Sequence, residues 1–165
     1  MAVKVNIRHL EDPSGEPKTL HLKGTASPEE LEIKDLDEIV HVRKPLHYDL
    51  QVEKMDKSIL AQGRLEVPLD CECARCLKPF EYPLVLPDWA CHLPLEGEDQ
   101  VTVSNDVVDL TPYIREDIVL AFPQHPLCKP DCKGLENPHK GSAADAQHES
   151  ELTSSAWSEL NKLKF

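Results

Sequence analysis

The chain has 165 residues, of which 40% are apolar, and this suits one domain with a core of ordinary size. A formal net charge of -12 argues against binding to nucleic acid by bulk electrostatic attraction, because each phosphate contact needs a Lys or Arg. No apolar run reaches the roughly 20 residues that span a bilayer, and the N-terminus lacks a signal-peptide pattern, so we expect a cytoplasmic protein with no membrane contact.

The first third of the chain predicts two strands and a helix. Apolar and polar residues alternate over 3–7 and again over 19–23, with a turn at 12–15 between them, so we expect a hairpin. The run Ser27-Pro28-Glu29-Glu30 then places a hydroxyl at the N-cap, a proline at the first helical position and a carboxylate at N3. This pattern is typical of a capping box and predicts the start of a short helix.

The middle of the chain predicts antiparallel sheet. Alternating runs over 47–53 and 64–71 flank a polar turn at 56–58, so these runs should pair as a hairpin. Pro68 cannot donate a ladder hydrogen bond, which places its strand at an edge or predicts a bulge there. A further alternating run begins at Phe80.

Four cysteines stand in two close pairs, Cys73/Cys76 and Cys128/Cys132, with 51 residues between the pairs. Two such pairs can complete a tetrahedral thiolate shell of the structural zinc type, and the first pair lies in a knuckle between two predicted strands. The alternatives are four reduced thiols or two unrelated pairs. Six cysteines are too few for a disulfide scaffold in a chain of this length.

The remaining cysteines and two histidines near the second pair have simpler interpretations. Cys71 and Cys91 continue the apolar faces of their strands, so we interpret both as small core residues. His125 and His139 flank the second cysteine pair and are alternative ligands, although such histidines are more often surface residues.

Charged residues suggest two contact surfaces. Arg75, Lys78, Lys129 and Lys133 form a small basic cluster if the cysteine pairs converge. This cluster either binds a partner such as RNA or compensates a dianionic zinc-thiolate centre. The stretch 96–109 holds five acids and no base, which predicts a mobile loop and, weakly, a docking surface for a basic protein.

The C-terminal part predicts one more helix and then little regular structure. Thr111-Pro112 opens a helix with a core-facing apolar stripe, and this helix should end before Pro123. The proline-rich segment 123–140 would depend on an external constraint such as a metal for its order. We predict a disordered linker over 141–156 and a short amphipathic tail over 157–165.

Three blocks of the sequence resemble one known family. Residues 73–80, Cys-Ala-Arg-Cys-Leu-Lys-Pro-Phe, are similar to the C-x-R-C-L-x-P-F signature of the YceD-like family. Residues 108–123 resemble its I-D-L, R-E-D and L-x-L-P segment, and 157–164 resemble its closing W/F-x-x-L-x-x-L-K element. Many members continue after the second pair with further Cys-Gly motifs, which this chain lacks after Leu135. Metal binding must therefore rest on the four thiols present.

The resemblance implies a role in large-subunit ribosome biogenesis and carries over no catalytic residue. We expect a single α+β domain over 1–140, with a mainly antiparallel β-sheet, two short helices and a cysteine knuckle between strands. The function we predict is non-enzymatic support of large-subunit ribosomal RNA accumulation, by binding a component of the large-subunit precursor, either ribosomal RNA or a basic ribosomal protein. No Ser-His-Asp elbow, glycine-rich phosphate loop or His-Glu metal helix occurs in the sequence. The alternative is a thiol-based redox or metal-responsive protein, in which Arg75 would lower the pKa of a neighbouring thiol.

Overall fold

A computed structural model describes residues 3–11 and 14–135. The elements in these ranges are β1 (Lys4–Asn6), a 3-10 helix (Ile7–Leu10), β2 (Leu20–Ala26), β3 (Val40–His41), β4 (Leu46–Met55), β5 (Ser58–Glu72), β6 (Pro79–Pro94), β7 (Val107–Asp109) and α1 (Thr111–Leu120). The predicted predominance of antiparallel sheet is confirmed. The described residues contain one α-helix and one 3-10 helix, so the prediction of two short helices is not confirmed.

Strand β5 lies at the centre of a five-stranded sheet. It pairs with β6 along one side, and on the other side with β4 and, further along, with β3. β2 adds to the outer side of β4, while β1 and β7 form a separate two-stranded sheet. The predicted hairpin of the middle region is confirmed, since Met55 pairs with Ser58 across a two-residue turn.

The hairpin predicted from the first two strands is wrong. β1 pairs with β7, and β2 pairs with β4. The chain turns into the 3-10 helix directly after Asn6, whose side chain accepts a hydrogen bond from Arg8 N at 2.9 Å. The residue before β1 is instead tied to the start of α1, because Val3 N donates to Thr111 Oγ1 at 2.9 Å. Because Val3 and Thr111 are far apart in the sequence, no local sequence pattern could predict this contact.

The helix predicted at Ser27 is only a single turn. Both hydrogen bonds of the capping box form, at 3.3 Å from Glu30 N to Ser27 Oγ and at 3.1 Å from Ser27 N to Glu30 Oε2. The backbone then enters the left-handed region at Glu32, where φ is 53°, and this ends the turn. Leu31 and Ile33 on either side are 1% exposed. Their burial in the core outweighs the local preference for helix.

The acidic stretch 96–109 is not a loop throughout. Asn105 and Asp106 have φ values of 53° and 63°, and they form a tight turn closed by reciprocal backbone hydrogen bonds between Ser104 and Val107, each 3.0 Å. Left-handed residues at both central positions are typical of a two-residue hairpin turn. The last three residues of the stretch predicted as a loop therefore form strand β7.

Helix α1 confirms the helix predicted to begin at Thr111-Pro112 and to end before Pro123. Leu110, Ile114 and Ile118 are at most 1% exposed and belong to the main core. Trp89 Nε1 on β6 donates to Asp117 Oδ2 at 2.6 Å, which anchors the helix to the sheet. No helix in the described ranges is long and apolar enough to cross a membrane.

Backbone contacts divide the chain into two units, Met1–Cys132 and Lys133–Phe165. Of the second unit the structure describes only residues 133–135. The predicted linker over 141–156 and tail over 157–165 lie outside the described residues.

Gly63 allows β5 to lie very close to its neighbouring strand β4. The pairing of β5 with β6 shifts register between Gly63 and Leu65, so the bulge lies there and not at Pro68. Pro68 pairs in register with Pro83 on β6. On the other side of β5, Pro68 lies between the residues that pair with β4, which end at Glu66, and those that pair with β3, which begin at Asp70. A Cβ atom on Gly63 would stand 2.2 Å from the carbonyl oxygen of Asp49, and φ is 151°. Only glycine fits this position without a shift of backbone.

We therefore expect Gly63→Ala to lower the free energy of unfolding by about 3 kcal/mol, because it adds a backbone clash to an unfavourable φ. Chemical denaturation measures this loss. Gly97→Ala is the matched control: its φ is 106° but a Cβ there would meet nothing within 4 Å, so it should cost only about 1 kcal/mol. Equal losses in the two variants would contradict the close approach at Gly63.

Cys71 and Cys91 are placed as the sequence predicts. Cys71 is 2% exposed in the main core, and Cys91 packs against that core while partly buried. Burial raises the pKa of each thiol to about 11. Both are therefore protonated, unreactive thiols at neutral pH.

Replacing Cys71 or Cys91 with Ala should lower the free energy of unfolding by about 1 kcal/mol, because each change leaves a small cavity. The metal content of the purified protein should not change. Loss of metal in either variant would show that the replaced cysteine is a metal ligand.

Candidate metal centre

The first cysteine pair lies in the tight connection between β5 and β6, over residues 73–78. Cys73 N donates to the carbonyl of Lys78 at 3.0 Å, and Leu77 N donates to the carbonyl of Cys73 at 2.9 Å. Leu77 has a φ of 59°, so the chain reverses through the left-handed region. These bonds fix the direction of both cysteine side chains, and the predicted knuckle between strands is present.

The second cysteine pair reaches the knuckle because the segment after α1 binds to it. Ala74 N donates to the carbonyl of Pro126 at 2.8 Å, and Arg75 Nη1 donates to the carbonyl of Cys132 at 2.9 Å. A turn closed by Cys132 N and the carbonyl of Lys129, at 3.1 Å, sets the spacing within the second pair.

The four sulfurs lie within 4.8 Å of one another. The Sγ–Sγ distance is 3.8 Å for Cys73 and Cys132, and 3.7 Å for Cys76 and Cys128. Four thiolates bound to a tetrahedral zinc at about 2.3 Å stand about 3.8 Å from one another. A disulfide needs a separation of about 2.05 Å, and all four thiols are free. The spacing therefore fits a metal ion and does not fit disulfides.

The thiols differ sharply in their acidity. Hydrogen bonds from the backbone of Cys128, then of Cys76 and Arg75, lower the pKa of Cys73 to about 6, against the opposite effect of burial. Burial, together with hydrogen bonds from the other three thiols, raises the pKa of Cys128 to about 12. One thiol thus ionises readily, and further ionisation beside it needs a cation to balance the charge.

The cluster is closed to substrates. Cys73 is fully buried, Cys76 and Cys132 are 8% and 7% exposed, and Phe80 and Leu127 pack against the sulfurs. Four protein thiolates would leave a zinc ion no position for water or substrate. A metal held here would join the end of the β5–β6 hairpin to the segment that follows α1. Phe80 and Leu127 thus belong to a small second core around the cysteines. The alternation of apolar and polar residues in the sequence did not predict this.

The predicted partner-binding residues have different surroundings. Lys78 and Lys129 are exposed beside the cysteines, whereas the exposed Arg75 is held by the carbonyl of Cys132. Lys133 is exposed and is the first residue of the second unit. The exposed His125 is not part of the sulfur cluster, and His139 lies outside the described residues.

The chain is similar to several mycobacterial proteins. The chain is 31% identical over 125 residues to uncharacterised proteins of Mycobacterium bovis and of Mycobacterium tuberculosis, over 70% of this chain and 60% of each relative. It is 28% identical over 103 residues to an uncharacterised protein of Mycobacterium leprae, over 55% of this chain and 46% of that protein. The chain thus spans about 60% of the length of the first of these relatives. No solved structure matches it.

The family comparison covers the knuckle, α1 and the second cysteine pair. The sequence profile of the large ribosomal RNA subunit accumulation protein YceD matches residues 61–164, which is more than half of the chain. The chain therefore belongs to the YceD family.

Proposed function

We propose that this protein is a non-enzymatic ribosome-biogenesis factor that supports the accumulation of large-subunit ribosomal RNA. The observation that carries the proposal is the family match over residues 61–164. The closed thiol cluster supports it, because a site with no open position is suited to shaping a binding surface and not to catalysis. The protein would act by binding a component of the large-subunit precursor in the cytoplasm, either ribosomal RNA or a basic ribosomal protein.

We also propose that Cys73, Cys76, Cys128 and Cys132 hold one structural zinc ion. The sulfur spacing supports zinc, since the Sγ–Sγ distances of 3.7 Å and 3.8 Å match the edge of a zinc-thiolate tetrahedron. The backbone bonds to Cys73 supply the N–H donors that steady a metal-bound thiolate. Bound zinc would balance the charge of the thiolates and hold residues 123–132 in place.

A thiol-based redox function is the second candidate, and the low pKa of Cys73 favours it. Redox-active cysteines must also be accessible to an oxidant or to a partner thiol. Cys73 is fully buried, and its sulfur lies 3.8 Å from that of Cys132. We therefore rank this function below the structural zinc site.

Protein purified without added zinc should contain close to one equivalent of zinc, measured by elemental analysis with thiols counted after denaturation. Cys128→Ser should lose the metal and make the segment 123–132 sensitive to proteolysis, because that segment contains no regular helix or strand. Cys91→Ser is the matched control and should retain the metal. A stoichiometric disulfide with no metal would support the redox function instead.

Deletion of the gene should lower the ratio of large-subunit to small-subunit ribosomal RNA in the organism that encodes it. The wild-type gene should restore the ratio, and Cys91→Ser should restore it as well. Cys128→Ser should not, because the surface around the knuckle would lose its order. Quantification of both RNAs from total RNA tests this, and an unchanged ratio in the deletion strain would contradict the proposal.

A further inference from the structure

Leu77 is unusual in both its conformation and its exposure. It adopts a φ of 59° in the left-handed region, which a side chain with a Cβ atom disfavours and which glycine adopts easily. Its side chain is nevertheless apolar and 59% exposed. A residue that is unfavourable in two independent ways is expected at functional sites.

Two lysines that lie within two residues of a cysteine in the sequence, Lys78 and Lys129, have free ammonium groups. Among the described residues, Lys78 and Lys129 have no carboxylate within ion-pair distance. Nine other cations do have carboxylate partners, and these are Lys4, Arg8, Lys23, Lys34, Arg43, Lys44, Lys54, Lys57 and Arg64. Most described cations are thus neutralised on the protein surface, whereas Lys78 and Lys129 are available to a partner.

The cysteine cluster holds these three residues together. Leu77 directly follows Cys76 and Lys129 directly follows Cys128, and the two sulfurs are 3.7 Å apart. This pair is on the outer side of the cluster, since Cys73 is fully buried and Cys128 is partly exposed. Lys78 is fixed by the hydrogen bond from Cys73 N to its carbonyl. We call Leu77, Lys78 and Lys129 the knuckle tip.

We propose that the knuckle tip contacts single-stranded or looped RNA of the large-subunit precursor. The two ammonium groups would bind phosphates, and Leu77 would pack against a base that is not stacked in a helix. Proteins recognise RNA mainly at such loops and ends, where bases are free to contact side chains. This inference rests on the proposed function and names RNA as the partner of that same surface.

The charges favour RNA over a basic protein at this surface. Free lysines repel a basic partner, and they attract phosphate. The acidic stretch 96–109 is also a weaker docking surface than its sequence suggests. Three of its five carboxylates are in ion pairs, those of Glu96 with Lys57, Asp106 with Arg8 and Asp109 with Lys4.

The test is titration of the zinc-loaded full chain with a fluorescein-labelled oligouridine, followed by anisotropy at several salt concentrations. Leu77→Gly should weaken binding at least about fivefold, as expected for loss of a contact to one base. It should keep its metal and should not lower the Tm, because glycine suits a φ of 59°. The double variant Lys78→Gln, Lys129→Gln should reduce the slope of log Kobs against log salt by about 1.4.

Matched controls separate these effects from general ones. Met55→Ser removes another apolar residue, 48% exposed at the opposite end of β5 from the knuckle, and should leave RNA affinity unchanged. Lys23→Gln with Lys44→Gln removes the same charge from residues already in ion pairs and should have little effect on the slope. Unchanged RNA affinity in Leu77→Gly, or loss of binding to a basic large-subunit protein instead, would overturn the inference.

Complementation distinguishes failure of this inference from failure of the proposed function. If deletion lowers large-subunit ribosomal RNA and Leu77→Gly restores it fully, the knuckle-tip contact is wrong and the proposed function stands. If deletion leaves the RNA ratio unchanged while Leu77→Gly weakens RNA binding, the proposed function is wrong and the contact stands.

Discussion

The pairing between β5 and β6 is the interaction on which the rest of the unit depends. It runs from Ser58 opposite Pro94 to Glu72 opposite Pro79, so one long hairpin crosses the whole sheet. β4 and β3 bind the other side of β5, and Trp89 on β6 anchors α1. The far end of the same hairpin presents the first cysteine pair. Sheet, helix and cysteine site therefore share one framework.

The cysteine cluster closes a loop that begins on this framework. The chain leaves the knuckle along β6, passes through β7 and α1, and returns to the knuckle at Pro126, where Ala74 N binds its carbonyl. The returning segment contains no helix or strand before Cys132. A metal ion bound by the four sulfurs would supply the constraint that regular hydrogen bonding does not. Because a structural metal site contributes its binding energy to folding, the order of this segment and the charge of the thiols are linked.

Elements with a strong local signal could be predicted from the sequence, and those decided by distant contacts could not. The apolar stripe and proline of α1, and the switch from strand to turn at Cys73, located their elements correctly. The capping box at Ser27 also formed, but burial of Leu31 and Ile33 stopped the helix after one turn. The partner of β1 is more than 100 residues away, at β7. Spacing alone predicted the four cysteines as ligands, and only the fold shows that their sulfurs meet.

The strong negative charge of the chain is compatible with the phosphate contacts proposed for the knuckle tip. Nine described lysines and arginines form ion pairs with carboxylates, and these neutral pairs add nothing to the net charge of -12. At physiological salt, charges separated by more than about 8 Å are largely screened. The distant acids are therefore largely screened from the knuckle tip, where Lys78 and Lys129 would act on phosphates at short range. Under the proposed contact, such a surface would bind RNA weakly in general, and selectivity would come from the apolar contact of Leu77 and the shape of the knuckle.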